Sequence, residues 1–323
     1  MFEILVWTLL LAIGVFLLLK GADFLVEGGA KIATYFGVPT IIVGLTLVSF
    51  GTSLPELGAS LNALLKSRQG ISVGNVIGSN IANILLVLGV SSLIKPISVD
   101  VDIIKREIPM MFGAMILFMV FAGSFLSEGY RIERWQGIFL LIALIVYLGF
   151  FTSIVLRGGE DEKIEGVVEE EKFTGKRIDW SLNILKVIGG LIGIIIGSEL
   201  TIRSAIFYIE RFELIEGVVG LTVIALATTL PELSTSSIAA FRGEAGISLG
   251  NVIGSNTFNI LMVIGVTATV MPLTLSGEIF SAFFVMVLAS IYLTISMYTG
   301  EKLSRIEGVI MLAGYFAYII YLY

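Results

Sequence analysis

The chain of 323 residues has no cysteine and no histidine, and only 14% of its residues are charged. Each absence excludes a chemistry. Without cysteine there are no disulfides, thiolate nucleophiles or sulfur-ligated metals; without histidine there is no imidazole proton relay or nitrogen-ligated zinc. Any ion site must therefore be built from oxygen. A charged fraction so far below the roughly 25% of soluble domains rules out an ordinary water-soluble globule. No basic patch suits nucleic acid, and the net charge of −6 comes largely from one acidic loop.

What is present is apolar. Hydrophobic residues make up 56% of the chain and fall in blocks of about 20, the length that crosses a hydrocarbon core as a helix. Runs such as Gly137 to Leu148 do not alternate, which argues against a transmembrane barrel. Ten spans are predicted, at residues 3–22, 40–65, 72–92, 108–126, 135–156, 181–203, 216–241, 248–270, 279–298 and 305–322. The first begins almost at residue 1 with no positive leader, so it reads as a membrane helix and not as a cleaved signal. The expected fold class is an all-α polytopic membrane protein.

An internal repeat organises these spans. A shift of 176 residues aligns Val43–Val90 with Val219–Val266 without a gap, and 27 of the 48 positions are identical. The same shift pairs Asp23 with Glu199. Residues 1–156 and 181–323 then form two five-helix repeats joined by the acidic linker 157–180. An odd number of spans in each half requires the second to enter the membrane in the opposite sense, giving inverted repeats. With both termini outside, 14 lysines and arginines fall on the cytoplasmic side and six outside. That imbalance sets the expected orientation, with loop 157–180 in the cytoplasm of a multi-pass cell-membrane protein.

Most acidic residues lie in loops or at span ends, Asp23 and Glu199 among them, where water solvates them. Glu56 and Glu232 do not. They occupy equivalent places inside the second and seventh spans, where a carboxylate costs about 2.5–3.5 kcal/mol on insertion scales. Each follows a proline, in Gly51-Thr52-Ser53-Leu54-Pro55-Glu56 and Ala227-Thr228-Thr229-Leu230-Pro231-Glu232. Proline frees the carbonyl four residues back, and in lipid that carbonyl needs a partner. Thr52, Ser53, Thr228 and Thr229 add hydroxyl oxygens. The next span of each half carries Gly74-Asn75-Val76-Ile77-Gly78-Ser79-Asn80-Ile81-Ala82-Asn83 or Gly250-Asn251-Val252-Ile253-Gly254-Ser255-Asn256-Thr257-Phe258-Asn259. Ser79 shares a helical face with Asn83, and Ser255 with Asn259. Small residues and amides also serve as interhelical glue; beside paired glutamates they read as the rest of a coordination shell. Two carboxylates with neutral oxygens suit a hard cation, calcium better than magnesium, with sodium able to use the same oxygens. Chemistry alone reaches competition between a divalent and a monovalent cation at one pair of glutamates.

The paired G-T-S-L-P-E and A-T-T-L-P-E motifs, each followed by G-N-V-I-G-S-N, resemble the two α-repeats of the calcium/cation antiporter superfamily, in its sodium/calcium exchanger branch. The resemblance spans both halves. It implies exchange of cytoplasmic calcium for external sodium by alternating access, with the first and sixth helices sliding past a fixed core. It further implies calcium ligation by Glu56 and Glu232 with the carbonyls of Thr52 and Thr228. Sodium ligands would come from Thr52, Ser53, Ser79, Thr228, Thr229, Ser255 and the glutamates, with carbonyls of Ser49 and Ala225 in support and Asn83 and Asn259 lining the centre. The implied partners are calcium and sodium ions and the lipid bilayer; nothing calls for a prosthetic group, nucleic acid or an obligate protein partner. Three positions depart from the usual motif. Ala227 replaces glycine, Thr229 replaces serine, and Asn259 stands where some relatives, including potassium-dependent ones, carry aspartate. Three rival readings differ from this one. A calcium/proton antiporter would load the same glutamates with protons, and a channel would lack gradient coupling. An intramembrane protease needs an aspartate pair, serine–histidine or metal centre that the spans do not contain.

Overall fold

A computed structural model describes residues 2–66, 68–99, 101–123, 130–157, 180–211, 226–275 and 277–322. The linker 158–179, Ala225 and the first part of the predicted seventh span lie outside the described residues.

The described chain is almost wholly helical. Its helices are α1 (Phe2–Phe36), α2 (Thr40–Leu65), α3 (Gln69–Ile94), α4 (Val101–Ala122), α5 (Arg134–Arg157), α6 (Trp180–Arg211), α7 (Leu230–Arg242), α8 (Ala245–Val270), α9 (Gly277–Gly300) and α10 (Arg305–Leu322). Eight of the described helices are long and apolar enough to cross a membrane; the criterion leaves out α4 and α7. Four two-residue strands clip loops together. Ile97–Ser98 (β1) pairs antiparallel with Lys302–Leu303 (β4), and Arg131–Ile132 (β2) with Leu273–Thr274 (β3).

Boundaries follow local chemistry. Gly37, at φ +64°, ends α1, and Pro39 precedes the start of α2. Gly243, at φ +85°, likewise closes α7. Two helices outrun the apolar blocks that predict them: α1 continues from residue 22 to Phe36, and α6 from 203 to Arg211. Their polar ends stay helical because the charges find partners. Asp23 accepts from Arg242 Nε at 2.7 Å, Glu27 pairs with Lys31 at 2.7 Å and Lys186 at 2.6 Å, and Glu199 with Arg203 at 2.6 Å.

Burial divides the helices into a centre and a periphery. In the most apolar window of each helix, 89% of residues are buried in α8, 72% in α3 and 61% in α2, against 11% in α1 and 17% in α10. The outer helices present Phe2, Ile306 and Ile320 at 74–79% exposure, a surface that only lipid would cover favourably. Close backbone approach holds the layers together. Along α1 and α6, Gly14, Gly21 and Gly28 interleave with Gly190, Gly193 and Gly197; a Cβ added at Gly21 would sit 2.7 Å from the Gly190 carbonyl oxygen. Small residues allow helices to meet this way where burial in lipid supplies no hydrophobic drive. The same device seats α8 against α2, where a Cβ on Gly250 would lie 2.5 Å from the Ile41 carbonyl.

Candidate ion-binding site

The site grows from two interruptions. In α2 the helix stops at Ser53 (φ −82°, ψ 0°) and restarts at Leu54, so Pro55 occupies the first turn of a new segment with Glu56 one residue further on. There its missing N–H is not needed, so the proline opens a new helical segment and does not merely kink the old one. Thr229 (φ −80°, ψ −5°), Pro231 and Glu232 repeat the arrangement at the start of α7. Each glutamate thus sits at a helix N-terminus, where the peptide dipoles favour negative charge.

The second element is a widening of the partner helices. Asn83 opens a π-helical stretch to Val87 within α3, and Asn259 opens one to Ile264 within α8; Gly44–Val48 of α2 is π-helical as well. Such turns displace side chains from the ordinary helical register and concentrate at functional positions. None of the three is signalled by composition, and sequence reasoning did not anticipate them.

Most of the predicted residues come together. Thr52 Oγ1 lies 3.2 Å from Ser255 Oγ, and Ser79 Oγ lies 3.4 Å from Thr228 Oγ1. Glu56 faces Thr228 and Glu232, while Glu232 faces Thr52 and Ser255. Proximity here does not amount to hydrogen bonding: both oxygens of Glu56 and both of Glu232 lack a hydrogen-bond partner, although both residues are 0% exposed. Ser53 Oγ, Asn83 Oδ1 and Asn259 Oδ1 are buried and unpartnered too, making seven such oxygens on five side chains. Thr229 is buried beside them in the sequence. The Ser49 hydroxyl donates to Leu45 O at 2.6 Å, and the Ser49 carbonyl accepts from Ser53 N at 3.0 Å. Among the described residues no group of three or more acidic side chains could hold a metal; Glu56 and Glu232 are the acidic pair at this centre.

Four residues absent from the predicted set touch its members: Asn75, Asn80, Asn251 and Asn256. Thr52 Oγ1 meets Asn251 Oδ1 at 3.0 Å, and Thr228 Oγ1 meets Asn75 Oδ1 at 3.2 Å. Asn83 donates to Asn256 at 3.1 Å, and Asn259 to Asn80 at 2.9 Å. Their recurrence in both copies of the G-N-x-x-G-S-N motif was the available signal.

Buried acceptors without donors call for a cation. The family model described as sodium/calcium exchanger protein matches residues 6–153 and 182–323. The chain belongs to the sodium/calcium exchanger family. It is 33% identical over 356 residues to sodium/calcium exchanger MaX1 of Methanosarcina acetivorans, covering 98% of each chain. It is 35% identical over 320 residues to inner membrane protein YrbG of Escherichia coli, covering 98% of this chain and 96% of that one. Among solved structures, the sodium-calcium exchanger NCX_Mj soaked with 2.5 mM Na+ and 0.1 mM Ca2+ superposes with a TM-score of 0.81 at 31% identity, over 98% of both chains. This exchanger-family chain is accordingly an ion-transporting membrane protein.

Proposed function

We propose that the protein is a secondary active antiporter that exchanges calcium for sodium by alternating access, both ions competing for Glu56 and Glu232. The observation that carries this reading is the set of four carboxylate oxygens, fully buried and without a hydrogen-bond donor. A buried carboxylate is costly unless a counter-charge balances it. One divalent cation neutralises two glutamates, and sodium ions in the same oxygens do so one charge at a time. Thr52, Ser53, Ser79, Thr228, Thr229, Ser255, Asn83 and Asn259 supply neutral ligands in this scheme, with the carbonyls of Ser49 and Ala225 in support. The names of MaX1 and NCX_Mj give the same pair of ions.

Two inverted five-helix repeats, 1–156 and 181–323, organise the transporter. The exchanged pairing of the short strands supports the symmetry: the shift of 176 carries β1 at Ile97 onto β3 at Leu273, and each pairs with a strand from the other half. Alternating access then moves the α1–α6 pair against the centre. Their glycine-lined contact with one another and their slight burial suit two helices that travel as a unit. The termini lie outside and loop 157–180 in the cytoplasm, following the lysine and arginine count.

The test is calcium uptake into proteoliposomes loaded with sodium, compared with a proton gradient and with no gradient. Uptake that needs outward sodium and disappears in Glu56→Gln and Glu232→Gln supports exchange at this pair. Uptake driven by protons alone would convert the assignment to calcium/proton antiport, and ungated uptake would make the protein a channel.

A further inference from the structure

We propose that Asn75, Asn80, Asn251 and Asn256, which lie outside the ligand set, form a frame that turns the hydroxyl hydrogens of Thr52 and Thr228 and the amide hydrogens of Asn83 and Asn259 away from the ions, so that these four groups present only acceptors to the site. The inference deepens the exchange reading above and rests on it.

The argument starts from backbone carbonyls, which only accept. Asn80 Nδ2 donates to Asn256 O at 3.2 Å, and Asn256 Nδ2 to Asn80 O at 3.5 Å. Those contacts fix which end of each amide is nitrogen, so the two Oδ1 atoms must serve other neighbours. Asn80 Oδ1 receives Asn259 Nδ2, and Asn256 Oδ1 receives Asn83 Nδ2. The amides of Asn83 and Asn259 are fixed in turn: their nitrogens are held by the frame, and their oxygens are the unpartnered buried ones. Two frame asparagines, Asn80 and Asn256, thus determine the orientation of the amides of Asn83 and Asn259, with no freedom left to flip.

The threonines follow the same logic. Asn251 Nδ2 is committed to Ser236 Oγ at 2.9 Å and to Glu232 O at 3.5 Å, so its Oδ1 faces Thr52. An amide oxygen has no hydrogen, so Thr52 must donate. Asn75 Nδ2 is committed to Ser60 Oγ at 3.2 Å, and its Oδ1 takes the Thr228 hydroxyl proton. Each threonine oxygen then accepts from the serine beside it, Thr52 from Ser255 at 3.2 Å and Thr228 from Ser79 at 3.4 Å. Each threonine proton is thereby directed to an asparagine, although both hydroxyls lie close to a glutamate. Were Asn251 removed, Thr52 could turn its proton onto Glu232, solvating the carboxylate and opposing the ion. All four links cross between halves: 52 to 251, 228 to 75, 83 to 256 and 259 to 80. The frame thus acts from each half on the ligands of the other.

The decisive experiment is a double-mutant cycle on purified protein, with calcium titrated calorimetrically in sodium-free buffer and sodium measured by competition. In the native background Asn251→Leu weakens calcium binding by about 10–100-fold, the usual loss when a group that orients a metal ligand is removed. In a Thr52→Val background, where there is no hydroxyl proton to steer, the same substitution has an effect smaller than about threefold. Equal losses in both backgrounds would overturn the frame, since a packing defect does not depend on the Thr52 hydroxyl. Asn75→Leu with Thr228→Val repeats the cycle at the symmetric position if the first set does not fold. A native protein that binds neither cation would overturn the exchange reading on which the frame rests.

Discussion

Replacing Glu56 by glutamine keeps the shape of the side chain and removes its charge, and the structure dictates opposite effects with and without calcium. Glu56 is 0% exposed, its two oxygens have no hydrogen-bond partner, and Glu232 is the acidic group that faces it. Without bound cation, the native centre holds two carboxyl groups with no counter-charge in a desolvated space, at the cost of burying charge or of taking up protons. Glu56→Gln removes one of them, so the empty variant melts above the empty native protein. With calcium the sign reverses. Removing one partner of a buried charge pair costs about 3–5 kcal/mol, or roughly two to three and a half orders of magnitude in the calcium dissociation constant. At a calcium concentration 100 times the native dissociation constant, binding stabilises the native protein by about 2.7 kcal/mol. At that concentration the variant gains almost nothing. The assay is thermal unfolding in detergent, scanned with chelator and across a calcium series. A variant that melts lower than native in chelator, or that retains the native calcium shift, would refute the reasoning: the first result would make Glu56 a structural carboxylate, and the second would put calcium elsewhere. Glu232→Gln is expected to behave in parallel.

Other predictions test neighbouring parts of the argument. Gly21→Leu places a side chain where even a Cβ would lie 2.7 Å from the Gly190 carbonyl oxygen; a cost of about 1–3 kcal/mol is expected, read as a lower melting temperature together with slower exchange in proteoliposomes. Asn259→Asp adds a third carboxylate to a site that lacks one. While protonated it resembles the native amide, so calcium uptake by the variant matches native at low pH and departs from it as pH rises; a constant ratio across the pH series would remove Asn259 from the ion path. Asp23→Asn breaks an ion pair with Arg242 whose side chains are 29% and 33% exposed. Exposed pairs contribute about 0–1 kcal/mol, so the melting temperature barely moves. The chain has no native cysteine, so Glu3→Cys and Gly159→Cys can be labelled singly: an impermeant maleimide applied to intact cells should modify the first and not the second.

Much of the centre is legible in the sequence because membranes penalise what the sequence displays openly. Glu56 and Glu232 stand out as carboxylates inside apolar blocks, the prolines before them mark the breaks, and the repeat raises both from curiosities to a pair. Helix ends are less legible. Along the extension of α1 to Phe36, Asp23 and Glu27 meet Arg242 and Lys186, residues 219 and 159 positions away in the chain. Hydropathy windows see only the charges, not the partners that let the helix continue. The π-helical stretches at Asn83 and Asn259 are legible only as asparagines in a repeated motif. Contacts between α3 and α8 accompany them, Asn83 to Asn256 and Asn259 to Asn80, and no local propensity encodes such contacts.

The asparagine frame also bears on why the two halves need not be identical. Ser53 faces Thr229 across the repeat, Gly51 faces Ala227, and Ile81 faces Thr257 in the alignment, yet every residue that fixes a proton direction is the same in both copies: Asn75 with Asn251, Asn80 with Asn256, Ser60 with Ser236. Ligand size and local packing tolerate substitution because a cation accepts oxygens from a range of distances and directions. Hydrogen-bond polarity has no such latitude. A donor turned inward at one position opposes the ion directly, and because the amides are chained through Asn80 and Asn256, one reversed member would force its neighbours to reverse. Around the glutamate pair, the frame reading therefore assigns divergent positions such as Ser53 and Thr229 to the fit of an ion, and the shared asparagines to the hydrogen-bond polarity of the site.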